Sequence, residues 1–323
     1  MKVQCELCPK YCLIDSGQSG DCRVRINLDG VLRTVVYGYP CSIHVDPVEK
    51  KPLFHFLPAT AILSLATVGC NLHCLNCQNW EISQRNPEDS IVSQYTPKDI
   101  IALTQKFQCP SLAYTYTDPV IYYEYALDTA KLAKSADIRN VLVTAGYINP
   151  QPWEELLKYT DAANIDLKSI DDDFYRTICS ATLKPVQQSL IRAAAKGICL
   201  EITNLIIPTL NDKPEQIGEL VKWIKNNLGS EIPLHFSRFF PQYKMRNLPS
   251  TSAQTLDMAR QIAMDEGMHY VYIGNIASKE GQNTYCPGCK KLLIERSGYR
   301  ILRNVLENGC CPDCGRKIYG VWK

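Results

Sequence analysis

The 323-residue sequence has no run of about 20 apolar residues, so no membrane-spanning helix is expected. It has no excess of charge: 35 Lys and Arg face 33 Asp and Glu, a net of +2. The basic residues are scattered, which argues against a general nucleic-acid surface. The first residues, MKVQCELCPKYC, lack the apolar core of a secretory leader, and a cytoplasmic protein is expected. Cysteine, by contrast, is abundant, with 16 residues. In a reducing compartment such a number points to metal binding rather than to disulfides. A hydrophobic fraction of 46% is that of an ordinary globular chain, long enough for one large domain with appendages or for two domains.

The most informative absence is local. In VGCNLHCLNC (68–77), Cys70, Cys74 and Cys77 are spaced C-x3-C-x2-C, and no further cysteine follows until Cys109. Closed metal sites usually take four ligands. The remaining cysteines gather at the two ends: Cys5, Cys8, Cys12 and Cys22 in one group, with Cys41 beyond it, and Cys286, Cys289, Cys310, Cys311 and Cys314 in the other. Cys109, Cys179 and Cys199 stand alone and read as packing residues.

Between the end groups the chain alternates. Apolar runs at 61–67, 111–116, 139–144, 162–167, 198–206, 232–239 and 269–273 read as strands. Helical patterns lie between them, such as TPKDIIALTQKF with Thr96 as N-cap and Pro97 in the first turn. Strand and helix alternating in this way predict parallel β/α units, in a doubly wound sheet or in a whole or partial barrel. Both architectures place function at the C-terminal ends of the strands. There the sequence puts the three cysteines, then Thr117-Asp118-Pro119, Thr144, Asp166 with Lys168, Glu201 with Thr203 and Asn204, and His235 with Ser237 and Arg238.

Three thiolates can hold three irons of a [4Fe-4S] cubane and leave the fourth iron open. A molecule with adjacent amino and carboxylate groups, such as S-adenosylmethionine, can chelate that iron. One electron then breaks its S–C5′ bond and yields a 5′-deoxyadenosyl radical, while the protein fixes geometry and excludes water. The competing reading is a zinc site of three cysteines completed by His73. It asks two adjacent side chains, His73 and Cys74, to converge on one ion.

The segments CELCPKYCLIDSGQSGDCRVR, VDPVEKKPLFHFLP, GCNLHCLNCQNWEISQ, YTYTDPVIYYEY, NIDLKS, PLHFSRFFPQYKM and YVYIGN, with the final cysteine pairs, carry a resemblance over nearly the whole chain. The chain resembles radical S-adenosylmethionine enzymes, and more closely the AmmeMemoRadiSam branch, relatives of the pyruvate formate-lyase activating enzymes. The resemblance implies a partial (β/α)6 TIM-like barrel over 59–280, a [4Fe-4S] cluster on Cys70, Cys74 and Cys77, and S-adenosylmethionine as cofactor. It places Thr117 and Asp118 at the segment for the methionine amino group, where the family usually has Thr-Glu-Pro. Thr144, Asp166, Lys168 and His235 fall at further cofactor-binding positions. It also implies a flavodoxin- or ferredoxin-type electron donor and a substrate that is a partner protein. A small molecule or RNA as substrate, or a non-catalytic zinc-binding adaptor, are the alternatives.

At the C-terminus, Cys286-x2-Cys289 and Cys311-x2-Cys314 are two knuckles flanking a hairpin-like stretch, a zinc-ribbon-like module over 281–323 that would hold zinc or, less in keeping with the pattern, iron. Residues 1–58 read as a Cys-rich cap with a hairpin at Leu28-Asp29-Gly30. Its quartet Cys5, Cys8, Cys12 and Cys22 would close a second metal centre, zinc or an auxiliary Fe-S cluster, with a slight preference for zinc from its knuckle-like glycine turns. In VDPVEKKPLFHF, Lys51 and His55 are candidate lid contacts or else part of a solvated charged turn.

Overall fold

A computed structural model describes residues 1–90, 92–278 and 280–323; Ile91 and Lys279, both in the expected 59–280 segment, lie outside the described residues. The chain opens with two small antiparallel pairs. Strand β1 (Val3–Gln4) pairs with β2 (Leu13–Ile14), and β3 (Arg25–Leu28) with β4 (Val31–Thr34). Leu28 faces Val31 across a two-residue turn in which Asp29 and Gly30 have φ of 51° and 89°. This is the expected Asp-Gly hairpin, whose tight turn needs positive φ at both central residues.

Strands β5 (Ser42–Pro47), β6 (Ala61–Ala66), β7 (Ser111–Tyr114), β8 (Arg139–Thr144), β9 (Ala162–Asp166), β10 (Cys199–Ile206), β11 (Leu234–Arg238) and β12 (Val271–Gly274) form one sheet, in spatial order β12-β11-β10-β9-β8-β7-β6-β5. The seven expected strands, β6 to β12, are all present and mutually parallel. Their near-continuous apolar composition suits strands covered on both faces. Strand β5 was not legible as a strand; it runs antiparallel along β6 at the edge.

Helices α1 (Trp80–Ser83), α2 (Pro97–Lys106), α3 (Tyr123–Ser135), α4 (Pro150–Leu157), α5 (Asp172–Phe174), α6 (Leu183–Lys196), α7 (Pro214–Leu228) and α8 (Ala253–Asp265) fill the crossovers. Thr96 caps α2 in a reciprocal box with Asp99, an arrangement that contributes about 1 kcal/mol. Gly197 ends α6 at φ 75°, as its position in the pattern implied. One continuous core runs from the cap through the sheet to the helices, with Leu65, Leu142, Ile165, Ile202 and Phe236 fully buried.

Strands β13 (Thr284–Tyr285), β14 (Leu292–Ser297) and β15 (Arg300–Asn304) make the C-terminal antiparallel sheet, the last two being the expected hairpin. Arg296 fastens this module to the main body. Its guanidinium donates to the carbonyls of Phe54 (2.8 Å) and Gln282 (3.1 Å) and lies 4.4 Å over the Phe54 ring. Val321 adds a bridge beside Phe56, with Leu57 N–H donating to its carbonyl at 2.7 Å.

Candidate active site

The cysteine loop leaves β6 at its C-terminal end and is pinned on several sides. Gly69, at φ 91°, donates its N–H to Ile82 O; a Cβ there would stand 2.6 Å from Val24 Cγ1 and 2.7 Å from Cys22 O. Glycine is therefore required for both its conformation and the close approach of the cap. His73 N–H and Leu75 N–H donate to the carbonyls of Cys179 and Ile178. The His73 ring lies between Asp21 (2.8 Å) and Gln84 (2.8 Å), which ties it to the cap and takes it out of any zinc site shared with the three cysteines.

Sulfur spacing separates two kinds of cysteine group. Cys286, Cys289, Cys311 and Cys314 have all four Sγ atoms within 4.8 Å of one another, and among the described residues they are the one group drawn so tight. A single zinc holds each thiolate at about 2.3 Å and so requires sulfurs about 4 Å apart. Cys70, Cys74 and Cys77 do not meet that spacing, although they share one site in which Cys74 and Cys77 both act on Cys70. A cubane takes one thiolate on each of separate irons and spreads its ligands accordingly. The three thiols as spaced do not close on one ion, and three thiolates are a donor set that a cluster accepts. Around them Leu72 N–H points at Cys70 Sγ (3.5 Å), and Ser83 Oγ lies 3.2 Å from Cys77 Sγ.

At the ends of β7 and β8 the structure joins three of the expected residues. Asp118 accepts from Thr144 Oγ1 at 2.9 and 3.1 Å, from Ala145 N–H at 2.8 Å and from Val120 N–H at 3.1 Å. It is buried close enough to Cys70 to raise that thiol further, after burial itself. Thr117 Oγ1 donates to Thr67 O, which holds the segment against β6. Tyr116 turns the corner with φ 65°, a rare value for a bulky residue, and its hydroxyl donates to Asp46. Lys51 completes this group, bonded to Asp46 at 2.6 Å and 4.4 Å over the Tyr116 ring.

At the end of β9, Lys168 Nζ pairs with Asp166 Oδ2 at 2.8 Å. Burial works against the lysine's charge, but Asp166 and then Cys74 hold its pKa well above the ordinary value. The thiol of Cys179 lies against Cys74. Cys179 read as a packing residue in the sequence. It is fully buried, but what it packs against is the cluster loop, because a π-helix (Tyr175–Cys179) follows α5 and ends at Ser180 with φ 54°. A single wide turn of this kind leaves no mark in residue spacing.

Register sets Asp166 beside Thr203, and Thr203 beside His235, in one row across β9, β10 and β11. His235 is nonetheless engaged elsewhere: its Nε2 donates to Glu201 at 2.6 Å, and Phe54 packs edge-on against its ring. Although burial favours the neutral acid, His235 holds Glu201 below the usual carboxylate range. With Glu49, Phe54, Ser237 and Ile273, His235 lines an open space of about 380 Å³. Lys51 and His55 do not act as lid contacts. Lys51 is 2% exposed under Asp46, and His55 is sealed between Tyr319 O (2.5 Å) and the Tyr272 hydroxyl (2.6 Å).

A triad of open-spaced thiols at the C-terminal end of the first parallel strand, ringed by polar strand ends, agrees with the comparisons to known proteins. The radical SAM superfamily model matches residues 64–224. A pyruvate formate-lyase-activating enzyme of Clostridium pasteurianum is 27% identical over 192 residues, 56% of this chain and 80% of that one. An uncharacterized protein of Methanocaldococcus jannaschii is 46% identical over 319 residues, 98% of this chain and 95% of that one. In fold, Streptococcus suis SuiB bound to S-adenosylmethionine aligns with TM-score 0.55 at 12% identity, covering 71% of this chain and 53% of that chain. The chain belongs to the radical SAM superfamily and is an activating-enzyme-like radical SAM enzyme. Among the described residues, no helix is long and apolar enough to cross a membrane.

Proposed function

We propose that the protein abstracts hydrogen from a partner protein, in the manner suggested by the activating enzymes to which it is similar. The observation that carries this reading is the open Cys70, Cys74 and Cys77 triad set among Asp118–Thr144 and Asp166–Lys168. These cysteines would hold a [4Fe-4S] cluster, which when bound supplies one electron to S-adenosylmethionine. The chain's own residues then have distinct tasks. Thr117, Asp118 and Thr144 shape the pocket for the methionine amino group. Asp166 and Lys168 present a compact pair of charges to its carboxylate side. His235, fixed by Glu201, borders the adjoining space where the substrate enters. A flavodoxin- or ferredoxin-type donor delivers the electron in a cytoplasmic setting. The same reading includes the curl of the sheet over 59–280 into a partial (β/α)6 barrel, the cap over 1–58 and a zinc-holding ribbon over 281–323.

The test is direct. The protein is reconstituted anaerobically, reduced with dithionite and given S-adenosylmethionine. Formation of 5′-deoxyadenosine above a Cys74→Ala control is expected, and none above that control defeats the proposal. Deuterium carried from a labelled protein fraction into 5′-deoxyadenosine would identify the hydrogen donor. Label arriving only from small molecules would overturn the partner-protein assignment.

A further inference from the structure

The N-terminal quartet belongs to the open kind of cysteine group. Cys5, Cys8, Cys12 and Cys22 line one partly open space. Cys5, Cys8 and Cys22 are buried, and Cys5 N–H donates to Cys12 O, closing the first knuckle. No three of their sulfurs share the 4.8 Å spacing of the C-terminal quartet. The same chain thus shows a tight tetrathiol set of the size one tetrahedral ion requires, and two wider sets, one of which is the cluster triad. In the N-terminal set, as in the triad, no three sulfurs close to the spacing of one tetrahedral ion. This favours a cluster over the zinc that its glycine turns suggested.

Two further observations point to a cluster. Arg25 lines the space, and its Nε is buried with no hydrogen-bond acceptor, while its terminal nitrogen is committed to Glu124 at 2.8 Å to each oxygen. A cubane offers inorganic sulfides as acceptors beyond its four thiolates, and such bonds tune its potential. A zinc tetrathiolate offers only the four ligands themselves. Asn71 also lines the space and lies against Cys8, and it is the next residue after Cys70. The two cysteine sites are therefore back to back across one residue, and the Gly69–Cys22 and His73–Asp21 contacts hold them so.

We propose that Cys5, Cys8, Cys12 and Cys22 hold a second [4Fe-4S] cluster, fully ligated by protein, which relays single electrons to the site on Cys70, Cys74 and Cys77. A flavodoxin- or ferredoxin-type protein gives one electron, which takes this cluster from its 2+ to its 1+ state. Passing the electron inward returns it to 2+, with no atom transferred. Four protein ligands leave no open iron, so this cluster does not bind S-adenosylmethionine. The ligand assignment stands by itself; the relay rests on the function proposed above.

The experiment uses the full chain with Cys70→Ala, Cys74→Ala and Cys77→Ala combined, reconstituted anaerobically with iron and sulfide. The expected product retains about four irons and about four sulfides per chain, against about eight of each in the native sequence. Its dithionite-reduced EPR signal is expected to be unchanged by S-adenosylmethionine. Adding Cys5→Ser and Cys8→Ser should remove that iron. A triple variant without iron, or one holding a second equivalent of zinc in its place, overturns the assignment. This arm does not depend on the cap variant folding. The relay is read in the otherwise native chain carrying Cys5→Ser and Cys8→Ser. The ratio of flavodoxin-driven to dithionite-driven 5′-deoxyadenosine formation should fall at least tenfold, and an unchanged ratio overturns it. Absence of 5′-deoxyadenosine from the unmodified protein with either reductant would instead defeat the proposed function and leave the cluster assignment intact.

Discussion

The Thr144 hydroxyl sits on the Asp118 carboxylate, 2.9 and 3.1 Å from its two oxygens. It joins the ends of two neighbouring strands, since Asp118 also receives the N–H groups of Val120 and Ala145. Asp118→Ala would strand a buried hydroxyl and two buried N–H groups. A loss of about 2–5 kcal/mol in urea-unfolding stability is expected, from about 1–3 kcal/mol for each unsatisfied group with partial relaxation. Thr144→Val removes the donor to Asp118 and the acceptor of the buried Gly146 N–H, and should cost about 1–3 kcal/mol. Titration with S-adenosylmethionine should show weaker binding for Asp118→Ala; wild-type affinity and stability together would remove Asp118 from the site.

His55 gives a pH dependence. Its Nδ1 faces the Tyr319 carbonyl and must carry the proton, so Nε2 accepts from the Tyr272 hydroxyl. Burial pushes its pKa down from 6.5 to about 4, against the pull of Glu201, with Arg296 and His235 also facing it. Between these values the unfolded chain binds a proton that the folded chain refuses. The stabilisation is therefore complete above pH 6.5 and is lost as pH falls toward 4, by about 3 kcal/mol. Denaturant unfolding of wild type and His55→Gln across that interval checks this. The wild type should lose more stability on acidification, and parallel curves would count against the assignment.

The C-terminal quartet should yield one equivalent of zinc. Its Cys286–Cys314 and Cys289–Cys311 sulfur pairs are each 3.5 Å apart, inside the span of one tetrahedral ion. Chelation, or Cys289→Ser, should release that metal and loosen the Arg296 fastening, which limited proteolysis after residue 280 would detect. Metal-coupled folding supplies the reason, since a module this small has little core of its own. Metal analysis returning iron in its place would revise the ion and keep the site.

Gly69→Ala should separate cap from sheet. The new Cβ meets Val24 and the Cys22 carbonyl inside 3.0 Å, at a φ of 91° that alanine avoids. A loss of at least about 1–3 kcal/mol in a thermal or urea melt is expected, together with faster hydrogen exchange in residues 20–25. Retained stability would mean that the cap yields at no cost.

The sequence disclosed what depends on composition and period. Apolar runs buried on both faces marked the seven parallel strands, and Thr96 and Gly197 marked helix ends. The cysteine spacing pointed to the radical SAM superfamily. Features that arise from the tertiary path were not legible. Strand β5 carries His44, Asp46 and Pro47, a poor strand composition, and is held by its edge position and by the inward Asp46–Lys51 pair. Cys179 reaches Cys74 only because a π-helix places it there. His235 stood in the right row, yet Glu201, the residue that fixes it, lies 34 positions earlier in the chain.

The cap docks on residues made long after it. Leu7 O receives the N–H of Asn149, and Arg25 pairs with Glu124. On the ribosome, Cys22 emerges about 130 residues before Asn149, a delay of roughly 6–25 s at ordinary elongation rates. Until then the surface against which the first four thiols close is only partly made, Asn71 coming first and Val120 and Ile121 later. The thiols synthesised first thus wait for partners made long afterwards, and an aerobic cell must shield them until those parts of the sheet are in place.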